Sequence, residues 1–133
     1  STSLVDILPR LTKKRLYDLA INYNIPGRSK MNKAELVEIL VDYIGNVKSL
    51  EKALLLARED EMKLFRTILK SEYLKNDTLY LGEYGYLMGM GLIFSFVDGD
   101  MLYFGMPDEI KDLYGEIHWD EFGKRHSRYQ YVS

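Results

Sequence analysis

Residues 11–44, LTKKRLYDLAINYNIPGRSKMNKAELVEILVDYI, contain the pattern that decides the fold of the first third of the chain. Thr12 is a good N-cap, and apolar residues follow at the i, i+3, i+4 and i+7 spacing of a helix with one buried side. These apolar residues are Leu16, Leu19, Ala20 and Tyr23. The pattern predicts a helix that ends at about Asn24.

A second helix is predicted after an irregular loop, because Pro26 and Gly27 keep residues 25–32 out of a regular helix. Asn32 and Glu35 have the spacing of a capping box. The buried side of this helix is expected to consist of Leu36, Ile39, Leu40 and Tyr43, and Gly45 supplies a C-terminal stop. Before both helices, Ser3 and Pro9 bracket a short leading helix that would add Leu4, Val5 and Leu8 to the same core.

Positive charge is concentrated in this segment although the whole chain has a net charge of only -2. Residues 10–33 have a local net charge of +6, whereas residues 49–123 have a net charge of -8 and residues 124–133 of +3. The Debye length is about 10 Å in ordinary salt, so a phosphate backbone responds to the nearby cations more than to the distant acidic residues. The segment therefore has the electrostatics of a polyanion-binding surface.

The same stretch resembles the helix–extended loop–helix module of SAP domains and of the N-terminal domain of transcription termination factor Rho. The resemblance rests on a basic, glycine-containing loop that leads into the helix start Lys-Ala-Glu-Leu, residues 33–36. SAP modules usually bind duplex DNA through this loop and the adjoining helix ends, Rho-like versions accompany an RNA-binding domain, and other relatives bind proteins. The resemblance implies nucleic-acid binding without choosing between DNA and RNA. Of the two we expect DNA as the partner, and transcription control as the setting.

Elementary electrostatics supports the same site, because the amides at a helix start carry partial positive charge and here lie beside the loop cations. The nucleic-acid-binding residues predicted from the sequence are Arg10, Lys13, Lys14, Arg15, Arg28, Ser29, Lys30, Asn32 and Lys33. Three of them, Arg28, Ser29 and Asn32, are candidates for base contacts, and the rest would contact phosphate. The alternative is a solvated lysine-rich face, in which Asn32 serves only as a helix cap.

The following residues, 47–123, predict a small α+β domain. Ser49 is the expected cap of a helix with Leu50, Ala53, Leu54 and Ala57 inside. A turn follows near Arg58, and then a helix with Leu64, Phe65, Ile68 and Leu69 inside. Glycines at 82, 85, 89 and 91 weaken a helical interpretation of residues 79–90. Pro107 suits the first turn of a last helix.

A β-hairpin is predicted between these helices, with Asp98 and Gly99 as a two-residue type I′ turn that pairs Phe96 with Met101. Helices, a hairpin and a final helix resemble a winged-helix arrangement. The hairpin tip carries Asp98 and Asp100, which would repel phosphates. This domain is therefore expected to bind a protein partner or to self-associate.

The last residues, 124–133, interleave basic and aromatic side chains in a pattern that can grip a single strand. The possible contacts are Lys124, Arg125, Arg128, Tyr129 and Tyr131. The alternative is a tail that frays in solvent, as chain ends commonly do.

Several classes of chemistry are disfavoured by composition. The chain has no cysteine and two histidines, His118 and His126, so it offers no thiol nucleophile, no disulfide and no thiolate metal site. No P-loop or catalytic triad pattern occurs, and the carboxylate clusters are typical of solvated helix surfaces. No apolar run predicts a signal peptide or a membrane span, which favours a cytoplasmic protein. The sequence thus predicts no catalysis, cofactor, metal or membrane contact.

Together these patterns predict a mostly α, α+β chain: an N-terminal helix-loop-helix module at 1–46, a winged-helix-like domain with one β-hairpin at 47–123, and a basic aromatic tail at 124–133. The expected function is non-catalytic nucleic-acid binding through the loop and helix N-termini of the module. The alternative is a protein-interaction adaptor or inhibitor that acts through the acidic C-terminal domain.

Overall fold

The computed structural model describes residues 2–71, 74–75 and 81–118, and of residues 81–84 only the helical backbone. The tail predicted at 124–133 lies outside these residues. The α+β, mostly α class is confirmed. The elements, in chain order, are α1 Leu4–Ile7, a 3-10 turn Leu8–Arg10, α2 Lys13–Asn22, a 3-10 turn Arg28–Lys30, α3 Lys33–Ile44, α4 Val47–Leu56, α5 Glu59–Leu69, β1 Leu74–Lys75, α6 Leu81–Gly89, β2 Phe94–Asp98, β3 Met101–Gly105 and α7 Asp108–Tyr114.

Helix α2 begins and ends at the residues that its sequence indicates. The Thr12 side chain accepts a hydrogen bond from the Arg15 amide at 3.1 Å. At the other end Asn24 adopts a left-handed conformation with φ +52. Its amide donates to Ile21, and the next amide, that of Ile25, donates back to Ala20 at 3.0 Å. This pair of bonds is a Schellman ending, and it confirms Asn24 as the stop.

The capping box of α3 is also confirmed. The Asn32 carbonyl oxygen accepts from the Glu35 amide at 2.8 Å, and the Glu35 carboxylate accepts from the Asn32 amide at 3.2 Å. Two backbone donors that the helix leaves without intrahelical partners are thereby satisfied. The helix-loop-helix order of residues 13–44 is therefore as the sequence predicts.

Helix α1 differs from its prediction in one residue. Leu4 and Leu8 are fully buried, as expected, but Val5 is 57% exposed and does not belong to the core. Residues four apart share a helix face, while the next residue points about 100° away, so a single turn buries only Leu4 and Leu8. The Leu4 amide donates to both carboxylate oxygens of Glu109, at 3.0 and 3.1 Å, which ties the start of the chain to α7.

The start of α4 corrects the predicted cap. Asn46, and not Ser49, is the N-cap, because its side-chain oxygen accepts from the amides of Lys48 and Ser49 at 2.9 and 3.1 Å. Asn and Ser are comparably good caps, so the sequence offered two candidates three residues apart. The turn predicted near Arg58 is confirmed between α4 and α5.

The hairpin exists, but its register is shifted from the prediction by two residues. Asp98 pairs with Met101 and Phe96 with Tyr103, so Gly99 and Asp100 form the turn. Only Gly99 has a positive φ, +62, which fits a type II′ turn and not the predicted type I′. The shift by two keeps each side chain on its expected face of the ribbon. The strand β1 pairs with β3 on its other side, giving the antiparallel order β1-β3-β2.

Helix α6 forms despite its glycines because its C-terminal end is tightly capped. Gly91 adopts φ +68, the Leu92 amide donates to Leu87 and the Gly91 amide donates to Met88, each at 3.0 Å. This is a second Schellman ending, in which only glycine fits without strain. A Cβ at Gly91 would lie 2.7 Å from Ile44 Cδ1, so helix α3 packs directly against this turn.

The last three carbonyl groups of the α6 region receive donors from α2 and the residue that follows it, an arrangement termed here the carbonyl clamp. The three bonds are Arg15 Nη2 to Met88 O at 2.6 Å, Asn22 Nδ2 to Gly89 O at 2.7 Å and Tyr23 OH to Met90 O at 2.5 Å. Carbonyls at a helix end need such partners, since they have none within the helix. The clamp therefore joins the segment before residue 46 to the segment after it.

The buried core runs through both segments without a break. Residues of α1, α2 and α3 share one apolar cluster with residues of α4, α5, α6 and the sheet. Its members before residue 46 include Leu4, Leu8, Leu16, Leu19, Leu36, Leu40 and Ile44, and its members after it include Leu50, Leu54, Phe65, Ile68, Leu87, Leu92, Phe104 and Ile110.

Candidate nucleic-acid interface

Four of the predicted binding residues are exposed cations. Among the described residues, no carboxylate lies within ion-pair distance of the side chains of Arg10, Lys13, Lys30 and Lys33. A cation that has no carboxylate partner keeps its full charge for an external anion. These four side chains are the free part of the candidate interface.

The loop between α2 and α3 presents its residues outward. Gly27 adopts φ +74 and starts the 3-10 turn Arg28–Lys30, in which Ser29 and Lys30 are exposed. The Arg28 guanidinium is half-buried, and its Nη1 donates to the Ile25 carbonyl at 3.1 Å. Arg28 therefore stabilises the loop by bonding to the loop's own backbone, while Ser29 and Lys30 face solvent.

At the start of α3, the helix cap already occupies some of the polar groups that could bind a ligand. The carbonyl oxygen of Asn32 is engaged by Glu35, so its NH2 group is the part left for contact with a base. The amides of Lys33 and Ala34 occupy the first two helical positions, where no intrahelical acceptor exists. The Glu35 carboxylate in the same turn offsets part of the positive helix end.

Two predicted cations of α2 have partners. Lys14 forms an i, i+4 ion pair with Asp18 at 3.2 Å, and since its side chain is 86% exposed this pair is weak. Arg15 is half-buried and belongs to the carbonyl clamp. Burial lowers the pKa of the Arg15 guanidinium, an effect that the nearby Asp18 carboxylate opposes. The structure thus places Arg15 in the contact between segments and Lys14 at the surface.

The three consecutive cations of α2 do not share one face. Each residue of a helix is rotated by about 100° from the one before, so Lys13 and Arg15 point about 160° apart. Arg15 flanks the buried stripe on the side of α6, as its bond to Met88 shows, and Lys13 lies on the other flank. Lys13, rather than Arg15, belongs with the exposed cations.

A second basic surface was missed from the sequence. One face of α5 and the two residues that follow its end carry Lys63, Arg66, Thr67, Lys70 and Ser71, which line a shallow cleft of about 380 Å³. Among the described residues no carboxylate pairs with the three cations. The acidic total for residues 49–123 concealed this surface, which we call the α5 basic face. Its signal was the spacing i, i+3 and i+7 of the cations, which puts them on one side of a helix.

The hairpin tip is exposed and acidic. Asp98, Gly99 and Asp100 all lie at the surface, at the end of β2 and β3. An acidic tip repels a phosphate backbone, in agreement with its exclusion from the predicted site. The predicted tail contacts at Lys124, Arg125, Arg128, Tyr129 and Tyr131 lie outside the described residues.

The described residues contain no group of three or more histidine, aspartate or glutamate side chains placed to hold a metal ion. None of the helices described is long and apolar enough to cross a membrane. The candidate interface is thus the set of exposed cations around the loop, together with the α5 basic face.

In comparisons with known proteins, no protein-family model, no curated protein and no solved structure matches the chain.

Proposed function

We propose that this protein is a non-catalytic nucleic-acid-binding protein that contacts the phosphate backbone through the loop and helix starts of residues 10–33. One observation carries the proposal: Arg10, Lys13, Lys30 and Lys33 are exposed and have no carboxylate partner among the described residues. Lys30 and Lys33 also flank the N-terminus of a twelve-residue helix, where backbone amides favour an anion. Phosphate is the anion that nucleic acids present in a regular row.

The available groups suit backbone contact better than base reading. Asn32 is partly used by its cap and Arg28 by the loop, so the side chains left for base edges are few. Binding of this kind depends on charge and has little sequence preference. We place its role in transcription control in the cytoplasm, with DNA favoured over RNA, on the strength of the SAP-like and Rho-like resemblance.

The α5 basic face is a second candidate surface for phosphate. Three cations on one helix side match the row of charges of a strand backbone. The two hydroxyl groups beside them already donate to helix carbonyls, Thr67 to Lys63 and Ser71 to Thr67, at 2.9 and 3.0 Å. The cations therefore supply the attraction for phosphate.

The test is fluorescence polarisation with labelled duplex and single strands of DNA and RNA over a range of salt concentrations. The affinity of the unmodified protein should fall as salt rises, with a slope of about -0.9 per phosphate contacted on duplex DNA. The double variant Lys30→Ala, Lys33→Ala should bind more weakly and lower the magnitude of that slope by about 2. A control of equal charge, Lys48→Ala with Lys111→Ala, changes lysines of α4 and α7 and should leave the slope nearly unchanged. Equal effects in both variants would contradict the proposed interface.

A second candidate function is supported by the outer position of β2 in the sheet that the described residues form. Strand β2 is at the sheet edge, and its Val97 is 70% exposed beside the acidic tip. An exposed strand edge can accept another strand from a partner protein. Two results together would replace nucleic-acid binding with the adaptor function. No nucleic acid binds at low salt, and in a pull-down the unmodified chain retains a specific basic protein that the variant Val97→Lys does not retain.

A further inference from the structure

A cleft of about 460 Å³ lies where α2 ends against α3, α4 and α6. This volume falls in the usual range for small-molecule sites, about 300–1,000 Å³. Residues from both sides of position 46 line it, so it exists only because the two segments pack together. Its chemistry comes from three tyrosine rings and, at its rim, Asn24, Ser49 and Lys52.

The aromatic walls of the cleft are held in place by hydrogen bonds and ring contacts. The Tyr23 hydroxyl donates to Met90 in the carbonyl clamp, and the Tyr86 hydroxyl donates to the Ala53 carbonyl. Tyr43 packs edge-on against Tyr23, with ring centroids 6.4 Å apart and planes at 75°. Such rings lose little freedom when a planar ligand stacks on them, which favours binding.

The polar groups at the rim have hydrogen-bonding capacity that the fold does not use. No hydrogen bond of the Asn24 side-chain amide, the Ser49 hydroxyl or the Tyr43 hydroxyl to another described residue is found, and the Lys52 ammonium has no carboxylate within ion-pair distance there. None of the described residues that line the cleft is acidic. A ligand of this cleft therefore combines a flat ring, groups that pair with amide and hydroxyl, and a negative charge near Lys52.

We propose that this cleft binds one nucleotide unit, with the base stacked on a tyrosine ring of the cleft wall and the phosphate on Lys52. Base stacking on aromatic side chains, together with a nearby cation, is the usual mode of holding an unpaired nucleotide. The cleft lies next to the loop of the proposed interface, because Asn24 lines the cleft and the carbonyl of the following residue, Ile25, accepts from the Arg28 guanidinium. The inference rests on the proposed function where the nucleotide belongs to a strand, and goes beyond it where the nucleotide is free.

The first experiment maps ligand binding on the full chain by NMR. Isotope-labelled protein is titrated with AMP, GMP, CMP and UMP in turn. It is then titrated with single strands of six nucleotides, oligothymidylate as the DNA and oligouridylate as the RNA. Chemical-shift changes confined to the cleft residues support the site. Binding of mononucleotides assigns a free nucleotide as the ligand, and binding of strands alone assigns an unpaired nucleotide of a nucleic acid. No binding of either, or changes only at other surfaces, would overturn the proposal.

Four variants test the same cleft by isothermal titration calorimetry. Lys52→Ala removes an exposed lysine and is expected to weaken binding at least fivefold, whereas Lys48→Ala, one turn earlier on α4, should change it less than twofold. Tyr43→Leu should weaken binding by about 5- to 150-fold, the range measured for loss of one stacked base, and Tyr43→Phe should keep most of it. If Tyr43→Leu does not fold, Tyr43→Phe and the lysine pair still decide the result. Equal loss in both lysine variants would indicate diffuse attraction and overturn the assigned site.

The outcome separates this inference from the proposed function. Loss of strand binding on changing Lys30 and Lys33, with no effect of Lys52 or Tyr43, leaves the interface standing and removes the cleft. Mononucleotide binding that depends on Lys52, together with strand binding that is absent or that does not change when Lys30 and Lys33 are replaced, keeps the cleft and removes the interface.

Discussion

Arg15 has a different role from the cations that surround it in the sequence. Its guanidinium donates to the Met88 carbonyl at 2.6 Å in a half-buried position, whereas Lys13 is exposed. A hydrogen bond from a charged donor contributes about 1.5–3 kcal/mol when it is well shielded, and partial exposure favours the lower end. The main effect of Arg15 is therefore on the stability of the fold, and its effect on ligand binding is smaller.

We expect Arg15→Ala to lower the free energy of unfolding by about 1.5 kcal/mol, because the Met88 carbonyl loses its charged donor. Lys13→Ala, two residues earlier, should change it by less than about 0.5 kcal/mol. Chemical denaturation followed by circular dichroism measures both. In binding assays with fully folded protein the order should reverse, with Lys13→Ala the weaker binder. A larger binding loss in Arg15→Ala would return this residue to the interface.

Buried phenols make stability sensitive to alkaline pH. Burial, followed by the negative charge of Glu61, raises the pKa of Tyr86 to about 12, and burial also raises the pKa of Tyr23. An unfolded tyrosine ionises near pH 10, so the folded state becomes progressively less favoured above that pH. The stabilising contribution is complete below pH 10 and is lost as the pH approaches 12.

Denaturation curves between pH 8 and pH 11.5 should show a free energy of unfolding that falls above pH 10. Tyr86→Phe should reduce the fall, since phenylalanine has no proton to lose. A decline of the same size in Tyr86→Phe as in the unmodified protein would mean that other groups cause it.

Among the elements, α6 depends most on the hydrogen bonds at its C-terminal end and least on the helix propensity of its own residues. Gly85 lies in the exposed middle of the helix and has open space around its Cβ position, whereas Gly91 has φ +68 and the side chain of Ile44 against it. The Schellman turn at Gly91 and the carbonyl clamp together satisfy the end of the helix. Two glycines of one short segment therefore have opposite effects.

Gly85→Ala should stabilise the protein by about 0.5–1 kcal/mol through helix propensity. Gly91→Ala should destabilise it by about 2–4 kcal/mol, since a left-handed backbone costs about 1–2 kcal/mol and overpacking adds to it. Gly27→Ala is the matched control, because it shares a positive φ, +74, but has open space and should incur only the backbone cost. Thermal denaturation of the three variants gives the order. Equal destabilisation at Gly27 and Gly91 would rule out the contact with Ile44 as a cause.

The α5 basic face allows a separate test of nucleic-acid contact. Lys63→Ala with Lys70→Ala removes two cations from one helix side without touching the buried side. Under the proposed function, strand affinity should fall and the salt slope should decrease by up to about 2, independently of the loop variant. An unchanged slope would confine phosphate contact to residues 10–33.

At the scale of the whole molecule, the two segments predicted as separate units share one core and the carbonyl clamp. Glu109 caps α1 from a distant part of the chain, and Asp108 and Thr2 exchange two further hydrogen bonds.

We therefore expect a single cooperative unfolding transition, with far-ultraviolet and tyrosine near-ultraviolet circular dichroism changing together. A fragment of residues 1–46 should show little stable helix alone, since a chain of that size lacks sufficient core. Two separate transitions, or a stably folded fragment, would show that the halves are independent.

The sequence alone determined the helices of residues 13–44, their caps at Thr12 and Asn32, the stop at Asn24 and the presence of a hairpin. These features depend on residues within about five positions of one another, where spacing along the chain is also spacing in the molecule. Only the tertiary structure decided which cations stay free, that Val5 lies outside the core and that a tyrosine-lined cleft exists. Arg15 and Met88 are 73 positions apart, and no local pattern encodes such a bond. Whether a surface charge binds a ligand or the protein itself is fixed by the packing of distant segments, because burial decides which partners a charge retains.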